Sequence, residues 1–265
     1  MIRYDKSAVV PSSLRRGDAA TTANCAAFDG DPPVYRSGER VFDITSKIYG
    51  TAVVKRHLKA DQYDKCGFCE AIFDANVAGD VEHFRPKAAV LTDSGRIYPG
   101  YYWLGYSWPN LSYACPDCNS YRKRDRFPLV LEEARALDHH DDIVHEKPLL
   151  LDPYGTVDPR EHIQFRGEAP IGKSPQGNAT IEILALDRTT LARDRLLHLR
   201  QLSRLYESVE LLKADPRPEA IDYVARVRVQ LAAAVEPAAR FSAAAADHLA
   251  ALAAGMNYLP EETLA

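Results

Sequence analysis

The residues that decide the fold are two cysteine motifs, CGFC at residues 66–69 and CPDC at residues 115–118. Each C-x-x-C motif allows two thiolates to face one tetrahedral ion, and two such motifs are typical of a structural zinc site. The 45 residues between them exceed the spacing of common zinc ribbons and leave room for a functional insert. A redox or disulfide role is the alternative for these cysteines. We predict one closed zinc site with four ligands, Cys66, Cys69, Cys115 and Cys118.

The insert carries a second pattern, EHFRPK at residues 82–87, followed by Asn110 and, directly after the second cysteine motif, by Asn119. It resembles the HNH (ββα-metal) endonucleases. Their signature is an acidic residue and a histidine on one strand, an asparagine on a second strand, and a final histidine or asparagine on a helix. Zinc-bearing members bracket this signature with two cysteine pairs, as here. The final residue is Asn119 rather than the commoner histidine, a variation that the family permits.

Further segments make the resemblance more specific. YWL at 102–104, PNL at 109–111, LLLDP at 149–153 and TIEIL at 180–184 are similar to the HNH subunits of Septu-type anti-phage systems, which also accompany some retrons. The resemblance covers residues 60–200. It implies a metal-dependent endonuclease that hydrolyses nucleic-acid phosphodiester bonds, with DNA favoured over RNA. It also implies a role as the effector of a bacterial defence complex with an ABC/SMC-type ATPase subunit.

The resemblance assigns roles to individual residues. His83 is the expected general base, and a histidine near its unperturbed pKa of about 6.5 can accept a proton at neutral pH. Glu82 and Asn119 are expected to hold a catalytic Mg²⁺ or Mn²⁺, because hard cations prefer oxygen ligands. Asn110 is expected to brace the loop that orients His83, and the closed Cys₄ zinc is structural. The expected phosphate-binding residues are Arg85, Lys87, Arg122 and Lys123.

Charge and cysteine usage indicate the setting of the protein. The chain has a formal net charge of −4, but residues 83–126 contain seven Arg or Lys against three Asp. Such a basic region suits phosphate binding on one face, although chance clustering on a solvated face would give the same count. Four cysteines at metal-binding spacing, with Cys25 left over, favour a reducing compartment. No run approaches the roughly 20 apolar residues that cross a bilayer, so we expect a cytoplasmic protein with no membrane partner.

We predict an α+β fold in which a zinc-bracketed ββα-metal core joins a mainly α-helical C-terminal region. Residues 1–38 contain several Pro and Gly and lack hydrophobic periodicity, which predicts an extended arm. The C-terminal helices are Ala-rich and either dock a partner or complete the core. The four predicted segments are an N-terminal arm and helix (1–60), the HNH core (61–130), a linker with short strands at 149–151 and 163–165 (131–187), and three helices (188–265).

Two further groups of side chains have alternative interpretations. The six aromatic residues between positions 98 and 108 either stack on nucleic-acid bases or pack the small core, and packing is favoured. His139 and His140 lie in an acidic segment, where a second metal site is conceivable but a solvated linker is favoured.

Three functions therefore compete. A DNA-cleaving nuclease leads, and an RNA- or tRNA-cleaving effector stays open, because a site that grips phosphates reads no base edges by itself. The rival from another class is a non-catalytic zinc module that binds nucleic acid or protein. Such a module has no need of a histidine beside a metal pocket.

Overall fold

The computed structural model describes residues 1–73, 79–92 and 94–260. Its longest helix lies in the C-terminal region, as the apolar periodicity there predicts. The α-helices are α1 (Arg15–Gly30), α2 (Pro32–Arg36), α3 (Ser46–Tyr49), α4 (Ala52–Asp61), α5 (Pro159–His162), α6 (Pro175–Leu184), α7 (Thr189–Leu212), α8 (Pro218–Ala233) and α9 (Ser242–Ala253). Short 3₁₀ turns lie at Ser12–Leu14, Tyr102–Leu104, Trp108–Asn110, Glu132–Ala134 and Ile143–His145.

The strands of the described residues are short and form antiparallel pairs. The pairs are β1 (Asp80–His83) with β4 (Leu111–Ala114), β2 (Val90–Thr92) with β3 (Gly95–Ile97), and β5 (Ile163–Arg166) with β6 (Ala169–Gly172). Helices and small sheets thus occur together, as the predicted α+β class requires. Predicted strand 163–165 lies within β5, but residues 149–151 form no strand. Leu150 and Leu151 are buried in a segment without regular secondary structure. The run of apolar residues therefore reflects burial in the core and not pairing in a sheet.

The pair β1–β4 positions the predicted site. His83 lies opposite Leu111, and Glu82 lies opposite Ser112. Beyond β4 the chain passes through the CPDC motif into a short helix at Asp117–Lys123, here called the motif helix.

The motif helix is wider than an α-helix. Tyr121 N donates to Pro116 O at 3.1 Å, and Arg124 N donates to Asn119 O at 2.9 Å. Each of these bonds joins residues five positions apart. Such turns are rare in proteins as a whole, and those that occur are often found at functional sites.

One hydrophobic core joins the cysteine motifs to the C-terminal helices. The cluster that contains the four motif cysteines also contains Leu199 of α7, Ala244 of α9, and Phe241, which directly precedes α9. Ser242 Oγ donates to Glu70 Oε2 at 2.7 Å, directly beside the first motif. Helices α7 and α9 therefore complete the core of the protein itself, and a purely docking role is wrong for them. Helix α8 packs on α7 through a smaller cluster formed by Val209, Val224 and Val227.

The N-terminal prediction is wrong, because residues 15–36 form α1 and α2 rather than an extended arm. Helix α1 buries only Gly17 and Phe28, so its sequence lacks the apolar periodicity that would reveal a helix. Gly17 is required by close packing, since a Cβ at this position would lie 2.4 Å from the Tyr106 side chain. Helix α1 thus lies directly against the aromatic residues of the insert.

Four of the six aromatic residues between positions 98 and 108 pack the core, as predicted. Tyr101, Tyr102, Tyr106 and Trp108 are all at most 5% exposed. They are therefore not free to stack on nucleic-acid bases. No helix in the described part of the chain combines the length and apolarity needed to cross a membrane.

Candidate metal centre and active site

The four cysteines of the two motifs converge on one point. Their Sγ atoms all lie within 4.8 Å of one another, and Cys69 Sγ lies 3.8 Å from Cys115 Sγ. All four thiols are buried, and none is joined in a disulfide. Four sulfur donors in a closed, dry position match the ligand set of structural zinc. The cluster could therefore hold a zinc ion, and its geometry does not support the disulfide alternative.

Positive charge and N–H donors lie next to the sulfur atoms of the cysteine cluster. Both terminal nitrogens of Arg188 lie 3.8 Å from Cys118 Sγ, and Cys115 N donates to Cys66 Sγ at 3.4 Å. Hydrogen bonds from the neighbouring thiols, with Arg188 nearby, hold the pKa of Cys69 well below its ordinary value. Burial raises the pKa of Cys66, and hydrogen bonds with the other thiols raise that of Cys118, so the first charge of the cluster resides on Cys69. Positive charge and N–H donors directed at sulfur stabilise the charge of a metal–thiolate cluster. Arg188 lies 70 residues beyond Cys118, so no local spacing in the sequence predicts its contact with the cysteine cluster.

Beside the cysteine cluster lies an open cleft of ≈ 410 Å³, which brings together predicted catalytic residues. Glu82 and His83 line it from β1, and Asn119 lines it from the motif helix. The residue before Asn119 is Cys118, a member of the cysteine cluster. A metal in that cluster would thus fix the motif helix at the residue next to the cleft.

His83 is held in one tautomer. Its Nε2 lies 2.9 Å from Gly105 O, and a carbonyl oxygen can only accept, so Nε2 carries the proton and Nδ1 the lone pair. The ring of Tyr49 contacts the imidazole edge-on, with centroids 4.6 Å apart. Burial, together with nearby Lys87, lowers the pKa of His83 to about 3. The expected ordinary pKa is therefore wrong: desolvation keeps the imidazole neutral, in the form that can accept a proton.

Glu82 is paired with a buried lysine. Lys123 Nζ lies 2.6 Å from Glu82 Oε1 and donates to His83 O at 2.9 Å. Because Lys123 is fully buried, its predicted contact with phosphate is wrong, and it instead ties the motif helix to β1. Burial raises the pKa of Glu82 even so, since desolvation outweighs the attraction of Lys123. Glu82 and Asn119 line the same cleft, and their side-chain oxygens are of the kind that a hard cation takes as ligands.

Asn110 acts behind the cleft rather than in it. Its Oδ1 accepts from Arg85 N at 2.8 Å, and its Nδ2 donates to Arg85 O at 3.0 Å and to Leu104 O at 3.2 Å. These bonds connect the chain that follows His83 to the turn that contains Gly105, the hydrogen-bond partner of His83. They are the contacts that the expected bracing role requires.

The other expected phosphate-binding residues have different surroundings. Lys87 lines the cleft, with Nζ 5.1 Å from the centre of the Tyr49 ring. Arg122 is exposed on the motif helix. The expectation for Arg85 is wrong, because Arg85 Nε donates to Glu146 Oε2 at 2.8 Å, and that carboxylate is fully buried. Its guanidinium is committed to an internal ion pair.

Sequence reasoning missed six residues of the cleft, and Lys55, Tyr49 and Asp80 are the ones among them that bear on its chemistry. Asp80 lies two residues before Glu82 on β1, on the same face of the strand, and this period of two could have revealed it. Lys55 Nζ donates to Gly79 O at 2.7 Å and lies 3.9 Å from Asp80 Oδ1. Lys55 and Tyr49 precede the first cysteine motif, where no local pattern indicates a site.

A second open cleft, of ≈ 540 Å³, continues from Lys55 along α4. Arg56 and Lys59 line it, and it adjoins the first cleft where Gly79 meets Asp80. A row of cations that leads out of a cleft suits the evenly spaced charges of a phosphate backbone.

A region of 174 residues in this chain is 35% identical to Septu protein PtuB of Bacillus mycoides (strain KBAB4). The region is 64% of this chain and 56% of that protein, so the chain spans little more than half of the relative's length. No protein-family model matches the chain, and no solved structure does. The similarity to a Septu protein that the sequence motifs predict is thereby confirmed, and the HNH assignment is consistent with that relative's name.

Proposed function

We propose that this chain is a metal-dependent endonuclease of the HNH (ββα-metal) type that hydrolyses phosphodiester bonds, with DNA favoured over RNA. The observation that carries the proposal is that His83, Glu82 and Asn119 line one cleft together with two lysines. Strands β1 and β4 followed by the motif helix also have the strand, strand, helix order of a ββα-metal core. A module that only binds nucleic acid has no need of this combination.

The tautomer of His83 determines which of its ring nitrogens acts as the general base. Nε2 is committed to Gly105 O, so Nδ1 is the nitrogen that takes a proton from the attacking water. The water oxygen bonds to phosphorus, and the bond from phosphorus to the 3′ oxygen breaks. The departing 3′ oxygen takes a proton from solvent water, which leaves a 5′-phosphate and a 3′-hydroxyl. A phosphate anion in the cleft raises the pKa of His83, because it stabilises the imidazolium that forms.

The remaining residues of the cleft hold the substrate and its charge. Lys55 and Lys87 contact non-bridging phosphate oxygens as point charges. A Mg²⁺ or Mn²⁺ held by Glu82 and Asn119, with Asp80 beside them, would supply the positive charge that stabilises the leaving oxygen. Outside the cleft, the cations of α4 guide the flanking phosphates.

The biological part of the proposal rests on the relative and on the motifs. Similarity to a Septu protein suggests anti-phage defence, and the resemblance implies an ABC/SMC-type ATPase as the partner subunit. Free thiols in the cysteine cluster suit a reducing compartment, so we place the complex in the cytoplasm.

The test is a cleavage assay with the full chain, alone and together with an ATPase encoded beside it. Duplex DNA, single-stranded DNA and tRNA are incubated with Mg²⁺, Mn²⁺ or EDTA. We expect metal-dependent cleavage of DNA that leaves 5′-phosphate ends and is lost in His83→Ala. Cleavage of tRNA alone would reassign the substrate to RNA. Binding of nucleic acid without metal-dependent cleavage under any of these conditions would instead support the non-catalytic zinc module.

A further inference from the structure

Three side chains outside the proposed catalytic cleft converge at the end of α1. They are Asp29, His139 and His140, here called the surface triad. One ligand atom from each lies within 4.8 Å of the ligand atoms of the other two. Asp29 and His140 are separated by 111 residues in the sequence, so that only the fold brings the triad together.

The two imidazoles of the surface triad present the same ring nitrogen to one carboxylate. His140 Nε2 lies 2.8 Å from Asp29 Oδ1, and His139 Nε2 lies 3.5 Å from Asp29 Oδ2. The rings lie side by side, with centroids 4.0 Å apart and a tilt of 37°. A hydrogen bond to Asp29 explains the position of the His140 ring. It does not explain the position of the His139 ring, whose Nε2 lies farther from the carboxylate. Two imidazole nitrogens and a carboxylate at this spacing form a donor set for a divalent transition metal.

His139 is oriented in the way that metal-bound histidines are. Its Nδ1 lies 2.5 Å from Tyr102 Oη, and Tyr102 is fully buried. When Nδ1 donates to this hydroxyl, Nε2 keeps its lone pair and faces Asp29. Metal-bound histidines almost always donate their other N–H to an oxygen, which fixes both the tautomer and the ring. Phe28 contacts the same ring edge-on, with centroids 6.0 Å apart, so the imidazole is supported on two sides.

The chain around the surface triad is anchored, and the triad itself is open to solvent. Asp138 Oδ1 accepts from His140 N at 3.0 Å, and Asp138 Oδ2 accepts from Arg36 Nη2 at 2.8 Å. These bonds hold the turn that presents the histidines. The side chains of His140 and Asp29 are 63% and 48% exposed. Water therefore has access to complete a tetrahedral site that the protein supplies with three ligands.

We propose that the surface triad binds one divalent transition-metal ion of the zinc class. Imidazole nitrogens suit zinc and its neighbours, whereas Mg²⁺ and Ca²⁺ require oxygen ligands. The bound ion clips α1 to the turn at 139–140 and, through Tyr102, to the aromatic residues of the insert. This assignment is independent of the proposed nuclease activity, because none of the three residues lines the catalytic cleft.

The test is a calorimetric titration of the full chain with Zn²⁺. The protein is first dialysed against a weak chelator that leaves the cysteine cluster loaded, and excess Mg²⁺ is present to occupy the oxygen ligands of the cleft. The variants are Asp29→Asn and His140→Ala, which alter exposed side chains and leave the core intact. His145→Ala is the matched control, because it removes an exposed histidine of the same region that does not belong to the surface triad.

We expect the wild type and His145→Ala to bind one equivalent of Zn²⁺ beyond the cysteine cluster. Asp29→Asn and His140→Ala should bind that equivalent at least about tenfold more weakly, since each loses a direct ligand. Circular dichroism and cysteine-bound zinc content verify that the variants are folded. The proposal is overturned if the wild type takes up no additional equivalent. It is also overturned if the two triad variants bind like wild type, or if His145→Ala weakens binding equally.

Discussion

Cys118 and Asn119 are neighbours on the motif helix, yet they serve opposite environments. Cys118 is fully buried with the sulfur atoms of the three other motif cysteines, whereas Asn119 is partly exposed and lines an open, charged cleft. On the cysteine side of the motif helix, which is the cluster of four cysteines, each thiol is held by the fold and protected from water. On the cleft side, charged groups such as Glu82 are buried with incomplete compensation.

This difference indicates that the cysteine side serves folding and the cleft side serves activity. A closed metal site contributes folding free energy outright, while an open site keeps charges that only a substrate or a cation can satisfy. The cleft side therefore costs stability, and a metal in the cysteine cluster would offset that cost one residue away. Substitutions on the two sides should separate folding from activity.

The largest effect is expected on the cysteine side. Cys118→Ser should leave the protein unfolded or insoluble, because structural zinc contributes about 10–16 kcal/mol and a domain is stable by only about 5–15 kcal/mol. Solubility, zinc content and circular dichroism measure this loss. Cys25→Ser, which alters the cysteine outside the cluster, should behave like wild type. A folded Cys118→Ser protein without zinc would remove the asymmetry between the two sides.

The next effect is expected at the base, and it should spare the fold. His83→Ala should lower the cleavage rate by about 10²–10⁴-fold, the usual contribution of a general base. Its loss leaves Gly105 O without a partner, at about 1–3 kcal/mol, which a folded domain tolerates. Rates and zinc content are measured on the same samples, with His145→Ala as the control. Loss of zinc along with activity would show that the two sides are not separable.

A smaller effect is expected at Asn119. Asn119→Ala should raise the Mg²⁺ or Mn²⁺ concentration for half-maximal cleavage by about tenfold or more, since it removes an expected oxygen ligand. Metal titrations of the cleavage rate measure the shift, and Ser120→Ala, an exposed neighbour on the same helix, should show none. An unchanged metal requirement would remove Asn119 from the ligand set, while the cysteine side would keep its role.

The smallest effect is expected from the cleft lysines. Lys55→Ala and Lys87→Ala should each reduce the slope of log affinity against log salt by about 0.9 for duplex DNA, because each removes one phosphate contact. Filter binding over a range of salt concentrations, in a His83→Ala background to prevent cleavage, measures the slope. Lys213→Ala lies at the end of α7, outside both clefts, and should not alter it. Equal slopes in all four proteins would place the phosphate path elsewhere.

Local patterns predicted a large part of this protein. The C-x-x-C spacing indicated the cysteine cluster, and the apolar period of residues 191–212 predicted α7. The signature around His83 identified three residues that line one cleft. The first two inferences depend on spacing within short segments, which nearly determines relative position, and the third depends on the resemblance to the HNH endonucleases.

The environment of each residue was decided by tertiary structure alone. Arg85 resembles a phosphate ligand in the sequence, but it pairs with Glu146, 61 residues away. Lys123 is likewise buried against Glu82, and Lys55 reaches the cleft from before the first cysteine motif. Burial and ion pairing depend on contacts between distant segments, which no local spacing encodes. The sequence by itself therefore determined which chemical groups are present and which four cysteines form one cluster. The fold decided which charged side chains face the cleft, because burial and ion pairing arise only when distant segments come together.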